Sequence, residues 1–280
     1  MIYSNTTDTK VSYSGIEGSF AAIAVAHIFP ECTAISCRNF TEAYESVARG
    51  ISDACVLPIE NSYAGEVGHV MDLLFSGNLK IRAIHEFRIN QCLLGIPGTR
   101  MDTLTAVISH PQALEQCNEF IHDHGLTTIQ SENTARAARF VAEKGNPTLA
   151  AIASAETADL YGLEILMENI DTGDENTTRF AVLTRDEDMY AAGPDEGGAF
   201  VLMFTVPDEV GALVKAIAVI SSYGFNMRVI RSRPMRDKNW HYYFYAELVG
   251  DVRSDRATRM LSTLSDFCDM FKVVGEYKAE

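Results

Sequence analysis

The sequence lacks the features of several large protein classes. Its 6 cysteines are sparse in 280 residues and include no Cys-x-x-Cys pair, so a disulfide scaffold is excluded and a reducing compartment fits. With 8 prolines, 19 glycines and 47% hydrophobic residues, the chain is neither fibrous nor disordered. The longest apolar run, residues 20–26, is too short to cross a bilayer.

Positive charge is also scarce. The chain has 23 Lys and Arg against 38 Asp and Glu, a net charge of −15, and no run of basic residues offsets it. Such a charge repels nucleic-acid phosphates and anionic membrane surfaces, so we expect no nucleic-acid partner and no membrane partner. Residues 1–10 are polar and lack the basic and apolar regions of a signal peptide. We therefore expect a cytoplasmic protein.

Motifs for metal and cofactor chemistry are missing as well. No G-x-G-x-x-G and no G-x-x-x-x-G-K-[ST] occurs, so dinucleotide and P-loop chemistry have no motif support. His122 and His124 are two residues apart, which points them to different faces of a helix. Ser109 and His110 are adjacent and do not by themselves make a triad, and Cys117 fits a helix core at least as well as a nucleophile role. We expect no metal and no cofactor.

The length indicates two units, because domains contain roughly 150 residues. Segment 185–198, RDEDMYAAGPDEGG, predicts a linker, since acidic residues, Gly and Pro separate two apolar, strand-like segments. Before it, short apolar runs alternate with helix-period segments, which predicts an α/β domain. After it, the order βαββαβ predicts a ferredoxin-like module. We assign residues 1–187 to the first domain, 188–198 to the linker and 199–280 to the second.

Small polar residues cluster where the strands of the first domain lead into helices. Helix N-termini present unpaired N–H groups, so several of them converging on one crevice would bind a carboxylate or a phosphate. Plain N-capping by Ser, Thr and Asn is the simpler alternative at each position. The residues concerned are 15–19, Asn61, Ser62, Ser109, Asn133 and Thr134.

Short segments of the chain resemble the ordered motifs of one enzyme family, the prephenate dehydratases. They are residues 11–20 (VSYSGIEGSF), 56–65 (VLPIENSYAG), 107–117 (VISHPQALEQC) and 176–180 (NTTRF). Residues 211–214 (GALV) and 230–234 (IRSRP) resemble the ACT regulatory domain that these enzymes carry. No helical chorismate mutase segment precedes the first motif, so the chain is similar to the monofunctional form.

The resemblance implies a fold and a reaction. The first domain would form two α/β lobes around a cleft, similar to a type II periplasmic binding protein, with lobes of about 11–88 plus 167–187 and 89–166. The chain would cross between them near 86–91 and 165–171. Prephenate would lose CO2 and its ring hydroxyl together, giving phenylpyruvate for L-phenylalanine biosynthesis. Such a lyase needs only to orient the substrate and protonate the leaving hydroxyl.

The resemblance also implies roles for particular residues. Thr178, predicted just before a strand, would donate the proton; as an alternative it is an ordinary strand-entry threonine. Gln116 would line the cleft or be a solvated helix residue. Arg179 would pair with a substrate carboxylate or with Asp171 or Asp174, and Glu60 would aid catalysis or pair with Arg179. The implied catalytic residues are Thr178, Glu60, Asn61, Ser109 and Gln116; the implied substrate-binding residues are Gly18, Ser19, Ser62, Gly65, Asn133, Thr134, Arg179 and Phe180.

For the second domain the resemblance implies L-phenylalanine bound between subunits as a feedback inhibitor, and therefore a homodimer or homotetramer. One residue departs from the family pattern, because Arg231 stands where the family commonly has Glu. A rigid dimerisation domain without ligand remains an alternative, as do an arogenate dehydratase and a non-catalytic small-molecule-sensing protein for the whole chain. The implied effector-binding residues are Gly211, Ala212, Leu213, Val214, Asn226, Arg231, Ser232, Arg233 and Pro234.

Overall fold

A computed structural model of the chain describes residues 8–172, 176–185, 198–235 and 241–278. The predicted domain boundary at residue 187 lies outside the described residues, as does the predicted linker except for Gly198. No helix among the described residues is long and apolar enough to span a membrane.

The first part of the chain alternates strands with helices. Its strands are β1 (Lys10–Ser14), β2 (Thr33–Cys37), β3 (Ala54–Asn61), β4 (Gly65–Glu66) and β5 (Lys80–Arg88), and its helices are α1 (Phe20–Ile28), α2 (Phe40–Ala48) and α3 (Gly68–Ser76). The buried apolar residues of α2 recur at helical spacing, which is why this segment packs as an amphipathic helix.

A second alternating group follows. Its strands are β6 (Cys92–Gly95), β7 (Ala106–Ser109), β8 (Thr127–Gln130), β9 (Leu149–Ala153) and β10 (Glu164–Met167), and its helices are α4 (Pro111–Gln116), α5 (Asn118–Asp123), α6 (Thr134–Lys144) and α7 (Ala155–Tyr161), with a short 3-10 helix at Met101–Thr103. The helix-period pattern of residues 111–122 predicts one helix, but the backbone leaves helical geometry at Cys117, where φ is −103° and ψ is 15°. Gly145 ends α6 in the left-handed conformation, which glycine adopts without steric cost.

The chain then returns to the first group through β11 (Thr177–Thr184). It continues into a C-terminal unit that consists of β12 (Gly198–Thr205), α8 (Ala212–Ser222), β13 (Asn226–Pro234), β14 (Tyr242–Val249), α9 (Asp255–Ser265) and β15 (Met270–Lys278). The order from β12 onwards is the βαββαβ order expected from the sequence. Thr178 lies inside β11 rather than just before it, because the ladder with β3 and β5 starts earlier than the apolar pattern indicates.

Within the described residues the strands form two sheets, and the α/β prediction is confirmed. One of these sheets has ten strands in the order β13-β14-β12-β15-β5-β11-β3-β1-β2, with β4 paired to β3; the other has five in the order β10-β6-β9-β7-β8. The strands of the second sheet come from residues 92–167. The lobe bounds implied by the resemblance stay a prediction.

The C-terminal unit is packed on both faces of its strand β12. Phe200, Leu202 and Phe204 face α8 and α9, whereas Val201 and Met203 join a core that includes residues of β3 and α3. Alternation along a strand sends successive side chains to opposite faces, so one strand joins two cores. The strands and helices of residues 10–88 and the C-terminal unit therefore share apolar packing as well as strand pairing.

A bulge in β3 decides which side chains reach the space between the two sheets. In the pairing with β11, Arg179 lies opposite Glu60 but Phe180 lies opposite Pro58, so Ile59 is an extra residue. Pro58 cannot donate to a ladder and fits beside such a bulge. Without the bulge, positions 58 and 61 would face opposite sides, because their separation is odd. With it, Pro58 and Asn61 face one side and Glu60 the other.

Candidate active site

A cavity of about 630 Å³ lies between the two sheets and is lined by residues of both. Its walls include the first turns of α1 and α6, the segment that opens α4, and the ends of β3 and β11. The predicted site residues that line it are Ser19, Asn61, Gln116, Asn133, Thr134, Thr178 and Phe180. The others, Gly18, Glu60, Ser62, Gly65, Ser109 and Arg179, are not among its lining residues.

Thr178 and Asn61 are neighbours across the β3–β11 pair. The Asn61 side-chain amide donates to Thr178 Oγ1 at 3.0 Å and to Asn176 Oδ1 at 2.8 Å. Asn61 Oδ1 accepts the backbone N–H groups of Tyr63 at 3.1 Å and Ala64 at 2.9 Å, which sets the orientation of the amide. Since the Thr178 oxygen already accepts a hydrogen bond, its own proton is available to a group in the cavity.

Three glutamines approach the same space from the second sheet. Gln112 Nε2 lies 3.4 Å from Asn61 Oδ1, so it bridges the two sheets across the cavity. Gln91 Nε2 donates to Gln116 Oε1 at 3.4 Å. The Gln91 side chain is buried, and its Oε1 has no hydrogen-bond partner within the described part of the chain. Neutral amides of this kind suit the polar groups of a bound small molecule.

Among the helix N-termini at the cavity, those of α1 and α6 are capped by a serine and an asparagine, the alternative that the sequence offered for these residues. Ser19 Oγ accepts from Ala22 N at 3.4 Å at the start of α1, and Asn133 Oδ1 accepts from Arg136 N at 2.7 Å at the start of α6. Capping and anion binding do not exclude each other, because each cap satisfies only one of the free N–H groups of its helix. Thr134, the first residue of α6, is also buried at this end.

The sequence reasoning did not identify the cationic residues of the cavity. Arg38 and Arg136 both line it, and each is held by a carboxylate four residues away: Arg38 Nε lies 3.1 Å from Glu42, and Arg136 Nη1 lies 2.8 Å from Glu132. One local signal for Arg136 was available. It stands in the first turn of α6, where the helix dipole disfavours a cation, so an anion-binding role offers a reason for its presence.

His110 was also set aside by the sequence reasoning and lines the cavity. It caps α4, and its Nδ1 accepts from Gln112 N at 3.3 Å, which leaves the proton on Nε2. Burial lowers the pKa of His110 below its ordinary value, so the ring is neutral at neutral pH.

Four predicted residues off the cavity have structural contacts. Ser109 is fully buried and donates to Ile152 O at 2.6 Å, joining β7 to β9. Gly18 has φ +83°, and a Cβ there would lie 2.9 Å from the Leu160 side chain of α7. Ser62 accepts from Thr177 N at 2.9 Å, and Gly65 pairs with Asn61 through β4. Their predicted roles in catalysis or binding stay predictions.

Arg179 turns away from the cavity. Its guanidinium contacts Glu247 of β14 at 2.9 Å and Glu60 at 3.2 Å. The sequence also offered Asp171 and Asp174 as partners of Arg179. Asp171 instead accepts a hydrogen bond from Gln91 N at 3.2 Å, and Asp174 lies outside the described residues. Glu60 is thus an ion-pair partner of Arg179, one of the two roles left open for it.

The predicted effector residues divide between two faces of β13. Ser232 and Pro234 are exposed, as is Asn226 at the start of the strand, whereas Arg231 and Arg233 point towards the first part of the chain. Arg231 pairs with Glu60, and Arg233 pairs with Glu66 and Asp72. At the start of α8, Gly211 has φ +81°, Ala212 is buried, Leu213 is partly buried and Val214 is exposed.

Metal ligands are not gathered anywhere in the described ranges. No group of three His, Cys, Asp or Glu side chains within them is placed to hold a metal ion. The cavity instead combines neutral amides, a positioned hydroxyl and two guanidinium groups between two α/β sheets, which suits a small organic anion.

Comparison with known proteins identifies the family. The family model for prephenate dehydratase matches residues 11–188, and the chain belongs to this family. It is a dehydratase of the lyase type within the prephenate and arogenate dehydratases. The chain is 33% identical over 293 residues to arogenate dehydratase/prephenate dehydratase 1, chloroplastic, of Arabidopsis thaliana, covering 99% of this chain and 74% of that protein.

Solved structures similar to the chain extend over both of its units. The structure of GqqA, described as a novel type of quorum quenching acylases, is 32% identical, with a TM-score of 0.88 and coverage of 97% of this chain and 98% of that one. Prephenate dehydratase from Arthrobacter aurescens in complex with L-Phe is 26% identical, with a TM-score of 0.89 and coverage of 97% and 90%.

The expectation of a cytoplasmic protein is wrong on this comparison. The Arabidopsis relative is named as chloroplastic, and so are further relatives from the same plant. The expectation rested on cysteine content and on the lack of a signal-peptide pattern. Neither observation distinguishes the cytoplasm from another reducing compartment.

Proposed function

We propose that this protein catalyses the decarboxylating dehydration of prephenate to phenylpyruvate, a step of L-phenylalanine biosynthesis, in the cavity between the two sheets. The observation that carries the proposal is the Asn61–Thr178 pair, in which the amide donates to Thr178 Oγ1 at 3.0 Å and leaves the hydroxyl proton free for the substrate. Membership of the prephenate dehydratase family supports the choice of reaction.

The reaction requires one proton and a correctly oriented substrate. The bond between the ring and its carboxylate breaks, and its electron pair enters the ring as CO2 leaves. The ring hydroxyl at the opposite carbon is displaced, takes the proton of Thr178 Oγ1 and departs as water. Asn61 stabilises the oxygen left behind, which regains a proton from solvent. Because formation of the aromatic ring drives the step, positioned proton donation is the main chemical task of the protein.

The charged groups of the cavity suit the side-chain carboxylate of the substrate. Arg136 and Arg38 both line the cavity and offer the planar donors that carboxylates accept. The ring carboxylate must lose its charge as CO2 forms, so a guanidinium clamp on it would stabilise the reactant and slow the reaction. We therefore assign the arginines to the carboxylate that remains in the product.

Arogenate is the second candidate substrate. It differs from prephenate by an amino group in place of the keto group, and the Arabidopsis relative is named for both activities. Glu132 lines the cavity beside Arg136 and would attract an ammonium group. The same Thr178 chemistry would apply to either substrate.

An acylase activity is a third reaction to test, because the similar GqqA structure is described as that of a quorum quenching acylase. Hydrolysis of an acyl bond calls for an activated nucleophile rather than a single proton donor. An assay with an acylated quorum-sensing signal therefore belongs beside the two dehydratase assays.

The test is product formation by the purified protein with prephenate, with arogenate and with an acylated signal. We expect phenylpyruvate from prephenate, and Thr178→Ala should lower kcat by about 10²- to 10⁴-fold, the usual contribution of positioned proton donation. Thr178→Ser keeps a hydroxyl and should retain part of the activity. Thr184→Ala is the matched control, since Thr184 lies at the other end of β11 and away from the cavity.

The three substrates distinguish the three reactions. Binding of prephenate without product would overturn the prephenate proposal, and turnover of arogenate alone would transfer it to the second candidate. Hydrolysis of the acylated signal, with no product from prephenate or arogenate, would replace both dehydratase proposals by the acylase. An unchanged kcat in Thr178→Ala would remove Thr178 as the proton donor.

The C-terminal unit is proposed as an ACT regulatory domain that binds L-phenylalanine at an interface between subunits of a homodimer or homotetramer. The similar A. aurescens structure is a complex with L-Phe, which supports the effector. With Arg231 engaged by Glu60, Ser232 and Pro234 remain exposed for an effector. Inhibition of the wild-type assay by added L-phenylalanine is expected, and its absence would favour a rigid dimerisation domain. The monofunctional form and the domain bounds stay predictions.

A further inference from the structure

Arg179 follows the proposed proton donor directly but is held from the far side of its strand. Thr178 faces the cavity, whereas Arg179 faces the C-terminal unit, as neighbouring residues of a strand do. The Arg179 side chain is 15% exposed and extends to Glu247 of β14, 68 positions later in the chain. The strand segment that carries the donor is therefore anchored by a residue of the other unit.

Glu247 is built into this contact as a buried, fully engaged carboxylate. It is 1% exposed, and it accepts Arg179 Nη1 and Nη2 in a bidentate pair, both at 2.9 Å. It also accepts the hydroxyl of Tyr245 at 2.7 Å and that of Tyr277 at 2.5 Å. A buried carboxylate needs such complete pairing, because an unpaired charge there is strongly unfavourable.

The protonation states support a permanent ion pair. Burial alone would raise the pKa of Glu247, but its bonds from Arg179 and from the two tyrosines hold that pKa below its usual value. Burial likewise opposes the charge of Arg179, and Glu247 nevertheless holds the pKa of Arg179 above its usual value. Both groups stay charged at neutral pH.

The Arg179–Glu247 contact, called the anchor below, lies where the backbone of the β3–β11 pair is irregular. Arg179 lies beside the bulge at Ile59, between the regular pairing of Thr178 with Asn61 and the shifted pairing of Phe180 with Pro58. Bulges next to a site re-aim side chains and permit local twist. A strand that is free to twist at this position changes the distance between Thr178 Oγ1 and the Asn61 amide, which is 3.0 Å when the anchor is in place.

We infer that Glu247 is a positioning residue for the reaction: through its bidentate contact with Arg179 it holds β11 in the register and twist that present the Thr178 hydroxyl to the substrate. The inference rests on Thr178 being the proton donor proposed above. It assigns the C-terminal unit a direct part in forming the site, apart from any effector binding.

The experiment is a double-mutant cycle in the full-length protein. Glu247→Gln keeps the shape of the side chain but removes the charge and one acceptor of the bidentate pair. We expect a kcat about ten- to a hundredfold lower with KM changed less than about threefold, since small misplacements of reacting groups have effects of this size. In a Thr178→Ala background the same substitution should lower kcat less than about threefold further, because the group it positions is gone.

Asp72→Asn is the matched control. Asp72 accepts Tyr243 Oη at 2.8 Å and Arg233 Nε at 3.3 Å, so it also joins the two units by a carboxylate, an arginine and a tyrosine, but it does not line the cavity. Its loss should leave kcat within about twofold of wild type. Thermal unfolding of each variant shows whether it is folded. Arg179→Lys, which keeps the charge but loses the bidentate geometry, replaces Glu247→Gln if that variant does not fold.

The outcomes separate the inference from the proposed function. If the wild-type protein forms phenylpyruvate and the folded Glu247→Gln variant has the same kcat, the inference is overturned and the proposed function is not. Equal kcat losses from Glu247→Gln with and without Thr178, or an equal loss in Asp72→Asn, would show a general structural effect and overturn it too. An unchanged kcat in Thr178→Ala would overturn the proton-donor assignment and, with it, the inference.

Discussion

At the scale of single residues, the proposed proton donation by Thr178 depends on the orientation of the Asn61 amide. Asn61 donates to Thr178 Oγ1 and Asn176 Oδ1 and accepts two backbone N–H groups through its oxygen. A threonine hydroxyl is a weak acid in water, so its usefulness comes from a neighbour that engages the oxygen and leaves the proton for the substrate.

Asn61→Asp tests this arrangement. The aspartate keeps the acceptor for the Tyr63 and Ala64 N–H groups, but its second oxygen replaces the donating amide, so the Thr178 hydroxyl turns to donate to the carboxylate. We expect kcat to fall by about 10²-fold or more, in line with the loss of positioned proton donation. Steady-state kinetics on the folded variant measure it.

The control for this prediction is Asn146→Asp. Asn146 likewise caps a backbone N–H through its side-chain oxygen, that of Thr148 at 3.0 Å, but it is exposed and does not line the cavity. Its kcat should match that of the wild type. A wild-type kcat in Asn61→Asp would show that Thr178 does not depend on the amide donor.

At the scale of elements, the cavity is made from helix starts and strand ends, and α6 is the element for which the proposed function predicts a part in substrate binding. Asn133 caps the helix, and Arg136 in its first turn lines the cavity although the dipole disfavours a cation there. Arg139 lies on the same helix, pairs with Glu143 at 2.8 Å and is not a lining residue. The two arginines thus differ mainly in whether they face the cavity.

We predict that Arg136→Gln raises KM for prephenate by about tenfold with kcat little changed, because a lost charge-assisted hydrogen bond removes about 1.5 kcal/mol of binding. Steady-state kinetics at low and high salt measure this, and the salt dependence of KM should be weaker in the variant than in the wild type. Arg139→Gln is the control and should match the wild type. Equal effects of both substitutions would argue against a direct contact with the substrate.

At the scale of the whole molecule, a close backbone approach joins the C-terminal unit to the rest of the large sheet. In the part of the chain that the structure describes, β15 pairs with β5 through Gly275 and Ile81. A Cβ at Gly275 would lie 2.1 Å from Ile81 O and 2.6 Å from Ile81 N, too close for any side chain. The ion pairs Arg179–Glu247 and Arg233–Asp72 also join the C-terminal unit to the first part of the chain. A wider separation at Gly275 would therefore lengthen these ion pairs as well.

Gly275→Ala should therefore force the two units apart. We expect a loss of about 1–3 kcal/mol in the free energy of unfolding, as for overpacked interiors, together with a lower kcat because the Glu247–Arg179 contact is stretched. Denaturant unfolding and steady-state kinetics measure both. In Gly98→Ala the new Cβ meets open space, so that control should lose only about 1 kcal/mol through its positive φ and keep its kcat. A Gly275→Ala protein as stable and active as the control would contradict the prediction.

Much of the fold could be predicted from local pattern. Apolar spacing predicts strands at 106–109 and 149–153 and a helix at about 134–144, and β7, β9 and α6 have these bounds. Apolar spacing, an N-cap and a terminal glycine depend on residues only a few positions apart. Helix α2 and strand β5 were not predicted, and one expected helix is divided at Cys117. The position of Asn61 between a strand and a helix already pointed to it, whereas only the family motif pointed to Thr178.

The sequence by itself determined the α/β class, the order of elements in the C-terminal unit, and several of the neutral polar residues that line the cavity, although not its arginines. Only the tertiary structure decided which faces those residues occupy. The extra residue Ile59 brings Asn61 to the side of Thr178 and sends Glu60 to the side of Arg179. The partner of Arg179 is Glu247, 68 positions away. Periodicity reports only on near neighbours in the chain, whereas a bulge and a buried ion pair depend on how distant strands are packed.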